Sequence, residues 1–339
     1  MNPFAYQRPD APEAALHAVA THNSKFLGGG TNLIDLMKDG VESPTTLIDI
    51  NHIGLDQITA SADGATIGAL VRNSDLANHA AIVASYPLLS HALLSGASPQ
   101  LRNMATTGGN LLQRTRCFYF MDTAFPACNK RTPGSGCAAI KGFNRTHAIL
   151  GATDAGPTSP HTCIATNPSD MNVALTALEA VITIRGSAGI RDIPIGEFFL
   201  LPGTTPHIET VLAPGDLITH VTLPAPRAQA KHVYLKLRDR ASYEFALASA
   251  AIVAEVSEGK LTFIRVALGG VGTKPWRSHE AEAALLHGSA DRATFHRAAD
   301  AALRDARPQS ENAFKVELAK RCITHALTLA TQSASTRPA

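Results

Sequence analysis

At 339 residues the chain is long enough for two or three domains with a sizeable core. Hydrophobic residues make up 45% and charged residues 17%, and the formal net charge is only +2. That balance, with no basic run interleaved with aromatics, argues for a globular protein without a nucleic-acid partner. No apolar stretch is long enough for membrane insertion, and the start MNPFAYQRPDAPEAALHAV lacks the basic-then-apolar pattern of a secretory signal.

In chain order the first expected element is a helix. Asp10 is placed to cap it, Pro12 suits its first turn, and Glu13 follows three after Asp10 as in a capping box. Ala15, Leu16 and Val19 then recur at helical spacing. Lys25 to Leu27 reads as a strand, the glycine run 28–30 as a turn before a second short helix, and Thr46 to Ile50 as another strand. Residues 1–55 thus read as a small α/β unit. From 56 to 224 the pattern is mixed, with a strand at 65–70, a helix from Ser74 to Ser95 broken at Pro87, and a strand at 180–185. From 225 to 331, strands at 232–238, 245–256 and 261–268 are followed by helices at 278–287, 291–306 and 310–331. A hairpin turn is expected over Ser257 to Lys260, and Ser310 is the expected cap of the last helix. A meander followed by helices is an α+β section, and 332–339 is a small polar tail.

Four of the five cysteines, Cys117, Cys128, Cys137 and Cys163, fall in one stretch, while Cys322 lies far from them. The segment 114–166 is rich in Gly, Pro, Thr and Asn and has no sustained period, so it reads as a long irregular loop. Loops of that length have a function or something that holds them in place. Four thiolates on one iron–sulfur cluster would supply both. Ordinary buried thiols, zinc and two disulfides remain open on spacing alone, because there is no Cys-x-x-Cys.

Two further turns carry chemistry. Gly28-Gly29-Gly30-Thr31-Asn32 lies between a strand and a helix, and Thr106-Thr107-Gly108-Gly109-Asn110 repeats the same residue types. Backbone amides and hydroxyls from two such turns are the donors that fit around a diphosphate. Either turn alone reads equally well as a tight turn with no ligand. Val at Gly29 or Gly109 is expected to cost ligand affinity more than stability. Asp170, at the start of an apolar helix, reads as a helix-terminal residue or as an acceptor for a sugar hydroxyl. Lys236 alternates with Tyr234 and Arg238 along a strand, ordinarily a solvated face. No nucleophile–base set stands out.

FLGGGTNL at 26–33, ATTGGNLLQ at 105–113, NPSDM at 167–171 and YLKLRDRASYEFA at 234–246 together resemble the FAD-binding subunit of the xanthine dehydrogenase and carbon monoxide dehydrogenase family. These are molybdenum hydroxylases, and the resemblance covers nearly the whole chain. It implies an α+β architecture: a vanillyl-alcohol-oxidase-type FAD-binding fold of two subdomains, 1–55 and 56–224, then a C-terminal flavoprotein domain over 225–331. RCFYF, CNKRTPGSGCAAI and CIATNPSD resemble the insertion of bacterial periplasmic aldehyde oxidoreductases, and a similar one occurs in 4-hydroxybenzoyl-CoA reductase. That likeness implies one 4Fe–4S cluster on Cys117, Cys128, Cys137 and Cys163, with Cys322 outside it. The segment DAGPTSPHTC lengthens the approach to Cys163, so a register error would fall on that ligand.

The resemblance also implies non-covalent FAD. Phe26, Leu27, Gly28, Gly29, Gly30, Thr31, Asn32 and Leu33, with Thr106, Thr107, Gly108, Gly109 and Asn110, would wrap its pyrophosphate and ribityl chain. Asp170 would hold a ribityl or ribose hydroxyl, Ile218 would pack on the flavin, and Lys236 would contact the isoalloxazine. The implied protein is the electron-transfer subunit of a heterotrimeric molybdenum aldehyde oxidoreductase, not active on aldehyde alone. Its partners would be a small 2Fe–2S subunit and a large molybdenum-cofactor subunit. The alternatives are a standalone flavin oxidoreductase of the same fold, the flavin subunit of a hydroxybenzoyl-CoA-reductase-like enzyme, and a non-enzymatic iron–sulfur protein. A likeness to a periplasmic complex without a signal of its own predicts export on a partner's signal, with a cytoplasmic location as the alternative.

Overall fold

The computed structural model describes residues 1–20, 23–152 and 161–332. Residues 333–339 of the expected tail and the part of DAGPTSPHTC up to residue 160 lie outside the described residues. Strands β1 (Ala5–Gln7), β2 (Ser24–Leu27) and β3 (Thr46–Asp49) form a parallel sheet in the order β1-β3-β2. β3 is flanked on both sides and buried along its whole length. The helix Pro12–Val19 packs Ala15 and Val19 with Ile48 and Ile50. Its expected cap is absent: Ala11 occupies the capping position and no side chain caps the helix. Pro12 starts the helix, which leaves Asp10 one residue too early to reach the first-turn amides.

A second, antiparallel sheet comprises β4 (Ile58–Ser61), β5 (Gly64–Gly68), β6 (Val181–Gly186), β7 (Gly189–Pro194) and β8 (Leu217–Pro224), in the order β4-β5-β8-β6-β7. Helices pack on it around a core that includes Ile67, Leu89, Leu175 and Val221. The helix expected from 74 to 95 breaks twice, into Asn73–Asn78, Ala80–Ser85 and Pro87–Ser95. His79 is extended, with ψ 124°, and ends one helix while starting the next. Pro87 then opens the third.

The third sheet runs β12 (Trp276–Arg277), β11 (Lys260–Gly269), β10 (Ala248–Ser257), β9 (Lys231–Leu237). Glu258 and Gly259 have φ of 51° and 73°, the pair of positive values that a two-residue hairpin needs. β10 starts at Ala248, three residues after its expected start, and β12 is too short to leave a period in the sequence. The helices His279–Leu285, Arg292–Ala302 and Phe314–Thr331 cover one face of this sheet. Ser278 and Asp291 cap the first two, whereas Ser310 does not cap the third. Its hydroxyl accepts from Asn144 instead, at 3.0 Å, and so ties the cysteine loop to the last domain. No helix among the described residues is long and apolar enough to cross a membrane.

Candidate functional site

The first glycine turn follows β2, where Asn51 fixes its backbone. The Asn51 amide donates to the Gly28 carbonyl at 2.9 Å, while its oxygen accepts from Arg72 at 3.0 Å and its own N–H groups reach Asp49. Among the described residues no protein acceptor takes the amides of Gly28 through Asn32. Gly30, at φ 74°, adopts the left-handed backbone that lets successive amides of such a turn point inward. A run of unmatched amides at a cavity wall is an anion cradle.

The second turn is built differently, which corrects the expectation that both turns offer amides. Thr106 caps the short helix Thr107–Leu111 by accepting from the Gly109 amide. The amides of Thr107, Gly108 and Asn110 donate to Val71, Ala69 and Thr106 carbonyls at 2.7–2.9 Å. Thr107 is buried and its hydroxyl also bonds Val71, so it is a framework residue. The two turns nearly touch. A Cβ on Gly28 would lie 2.9 Å from Thr106 Oγ1, and one on Gly29 only 1.9 Å from the Met104 carbonyl. Those glycines are needed for backbone approach between the turns.

Together the turns line a cavity of about 160 Å³ that also takes in Phe26, Leu27, Leu33 and Ile218. It adjoins a second cavity, of about 270 Å³, through Thr31, Asn32 and Gly109. The second cavity holds Asp170, Lys236, Asn110, Asn73 and Arg116. The structure therefore places Ile218 with the glycine turns and sets Asp170 and Lys236 at the other end.

Asp170 and Lys236 hold one another there. Lys236 Nζ donates to Asp170 at 2.7 Å, with the two side chains 3% and 8% exposed. Tyr234 donates to the other carboxylate oxygen at 2.6 Å. Burial, with the Asp170 charge beside it, pushes the Tyr234 hydroxyl well above its usual range and keeps it a donor. Lys236 is thus not on a solvated face, because the helix Pro87–Ser95 packs on β9 there and Lys236 Nζ also donates to the Ser95 carbonyl at 3.0 Å. Ser169 caps the helix Asp170–Ala177 and donates to Asn110 at 2.7 Å, linking it to the second turn. Among the described residues, two polar atoms of the cleft are buried without a partner: Asn32 Nδ2, whose oxygen is held by the Arg114 amide, and Asn73 Oδ1. Asn73 was not indicated by the sequence, since a lone Asn at a helix start reads only as a cap.

The four clustered cysteines line one small void of about 10 Å³, with Tyr119, Phe120, Ala139 and His147. Asn129 assembles three of them: its side chain donates to Thr162 O at 2.8 Å and accepts from the Gly136 amide at 2.9 Å. It thereby joins the neighbours of Cys128, Cys137 and Cys163. Cys117 stands at the start of the helix Phe118–Met121, with His147 Nε2 3.1 Å from its sulfur. Burial pushes the Cys117 thiol up to about 12 and Cys137 up to about 11, and it raises Cys163 as well. All five cysteines are free thiols. Among the described residues no three His, Cys, Asp or Glu side chains stand at metal-holding geometry, so the cysteines share a wall without forming a closed ligand set. Cys322 lies apart in the helix Phe314–Thr331, buried in the last core, and its sulfur is 3.8 Å from the Leu235 carbonyl.

A two-part cleft with an amide cradle at one end and a buried polar clamp at the other, spanning two α/β subdomains before a meander-and-helix domain, defines a nucleotide-cofactor carrier. Sequence comparison specifies the carrier. Residues 2–226 match the FAD binding domain in molybdopterin dehydrogenase, and 233–330 match the CO dehydrogenase flavoprotein C-terminal domain. The chain belongs to this family of FAD-binding subunits of molybdenum hydroxylases. It is 52% identical to the aldehyde oxidoreductase FAD-binding subunit PaoB of Escherichia coli over 96% of this chain and 98% of that one. It is 29% identical to the glyceraldehyde dehydrogenase medium chain of Sulfolobus acidocaldarius, over 82% and 79%. A solved carbon monoxide dehydrogenase from Hydrogenophaga pseudoflava superposes with a TM-score of 0.75 at 26% identity, over 97% of each chain. The cleft fits the cofactor: its free amides suit a diphosphate, and the orphaned Asn32 and Asn73 atoms suit sugar hydroxyls.

Proposed function

We propose that this chain is the FAD- and iron–sulfur-carrying electron-transfer subunit of a molybdenum aldehyde oxidoreductase. It would work beside a small 2Fe–2S subunit and a large molybdenum-cofactor subunit. The observation that carries the reading is the cradle of unmatched amides from Gly28 to Asn32 facing the Thr106–Asn110 turn. The similarity to an aldehyde oxidoreductase subunit over nearly the whole chain supplies the substrate class.

In this reading the first turn binds the pyrophosphate, and Asn32 Nδ2 and Asn73 Oδ1 bind hydroxyls of the chain that leads to the ring. Ile218 gives the nucleotide an apolar wall. The Asp170–Lys236–Tyr234 clamp orients the ring end and excludes water from it. FAD, when bound, supplies two-electron chemistry and a route to an external acceptor. Because the pyrophosphate is held by hydrogen bonds and neither turn has a Cys or His beside it, FAD is held without a covalent tether.

Cys117, Cys128, Cys137 and Cys163 would hold the 4Fe–4S cluster, and Asn129 and the Phe118–Met121 turn would position them. The donor set suits a soft metal: four sulfurs share one largely apolar wall, and a metal would displace the protons that burial otherwise keeps on Cys117, Cys137 and Cys163. We further propose that the subunit is exported already folded on a partner's signal, since assembly before export keeps these thiols from pairing as disulfides. Cell fractionation with and without that partner tests it; recovery in the periplasm without the partner contradicts it.

The functional test is aldehyde-dependent reduction of an external dye by the reconstituted three-subunit complex. Activity should require this chain, and this chain alone should not turn over aldehyde. Turnover by the isolated chain would favour a standalone flavin oxidoreductase.

A further inference from the structure

Arg116 is a cation that no carboxylate among the described residues approaches to ion-pair distance. It lines the cavity that holds Asp170 and Lys236, and it also lines a neighbouring cavity shared with Cys117, His147 and Asp170. Among the described residues it makes no ion pair. Its one hydrogen bond is a long one, 3.4 Å, to the Arg114 carbonyl. The guanidinium rests 5.7 Å from the Phe245 ring centroid. Burial lowers its pKa, and Asp35 and Asp39 offset this only from beyond ion-pair distance. The contrast with Arg114, two residues away and held by Glu42 at 2.7 Å and Glu209 at 3.4 Å, shows that a matched arginine is available to this backbone. An unmatched cation in a half-buried wall costs stability unless a ligand matches it.

Resting on the flavin reading above, the geometry points to Arg116 as the cation that sets the reduction potential of the flavin from between the ring end of the cleft and the cysteine cage. The polar end of the cleft, with Asp170, Lys236 and Asn110, suits the hydrogen-bonding edge of an isoalloxazine better than the apolar end at Ile218. Two-electron reduction of FAD takes up two electrons and one proton at neutral pH, and so adds one negative charge to that edge. The electrons come from aldehyde in the complex, or from dithionite in the test. A fixed cation beside the ring binds the reduced form more tightly than the oxidised form. Lys236 cannot provide that preference, because Asp170 already neutralises it at 2.7 Å.

The experiment measures FAD content and the two-electron midpoint of the purified holo-protein with Arg116→Gln and Arg116→Lys. Arg116→Gln should weaken binding of reduced FAD relative to oxidised FAD by about tenfold, a midpoint about 30 mV more negative. Arg116→Lys keeps the charge and should stay nearer the wild type. If Arg116→Gln loses FAD on purification, titrating it with oxidised and with reduced FAD reads the same ratio. An unchanged midpoint or ratio in Arg116→Gln overturns the inference. So does a Lys variant shifted as far as the Gln variant. Wild-type protein without FAD would instead strike the flavin reading itself.

Discussion

Gly29 and Gly109 border the same cleft, yet their substitution should fail in different ways. A Cβ on Gly29 runs into the Met104 carbonyl at 1.9 Å, a backbone atom that cannot yield, whereas one on Gly109 meets only the Thr106 hydroxyl at 2.9 Å. Gly29→Ala should therefore lose FAD and also destabilise the fold by about 1–3 kcal/mol. Gly109→Ala presses instead on the buried Thr106 cap, and should lose FAD affinity at a smaller cost in stability, about 1 kcal/mol. Flavin content and thermal melts of the two variants check this, and they revise the expectation that both glycines matter to the ligand before they matter to the fold. A second residue-scale prediction concerns the clamp. Asp170→Asn leaves the Lys236 ammonium buried without its anion and should cost on the order of 3 kcal/mol. The double variant with Lys236→Met should recover part of that loss in urea denaturation. The glycine runs were legible in the sequence because their spacing is unusual. Asn32 Nδ2, Asn73, Asn129 and Arg116 were not, because a single polar residue announces no partner until the fold supplies or withholds one.

The elements were legible where one face is periodic. The meander β9–β10–β11 and the helices after it follow from alternation and helical spacing, and the hairpin from Glu258-Gly259. The helix caps were less so: the expected caps Asp10 and Ser310 each lie outside the observed helix start, because capping residue types are common and a shift of one or more positions removes the bond. The cysteine loop shows how an irregular segment is held without periodicity. Lys315, fully buried on the helix Phe314–Thr331, donates to the carbonyls of Thr146, His147 and Gly270. Lys315→Met should leave those carbonyls unpaired and destabilise the protein by about 1–3 kcal/mol. Limited proteolysis should then cut first between 142 and 148. On β9, burial lowers His232 from 6.5 to about 4, with His91 of the helix Pro87–Ser95 adding to the shift. The unfolded chain takes up that proton first. Its contribution is therefore full above pH 6.5 and is lost as pH falls towards 4. His232→Phe should flatten the acid limb of the stability curve over that window, by on the order of 2 kcal/mol.

For the molecule as a whole, the sequence carried the family further than it carried any one contact. Motifs spread from 26 to 246 are brought by the fold to one two-part cleft, which is why the resemblance held over the full length. The cysteines illustrate the opposite limit. Spacing left four readings open, and the fold brings four sulfurs to one wall without itself closing a ligand set. Single Cys→Ser changes at Cys117, Cys128, Cys137 and Cys163 should each remove about four irons per chain from anaerobically purified protein. Cys322→Ser should remove none. Iron unaffected by all four changes, or zinc in its place, contradicts the cluster. The central claim is that this chain carries a dissociable flavin in the cleft between the glycine turns and the Asp170–Lys236 clamp. Acid denaturation of the purified protein, with FAD measured in the supernatant and the pellet, tests it most directly. One FAD per chain in the supernatant is the predicted result. Flavin that stays on the precipitated chain, or none at all, would contradict it.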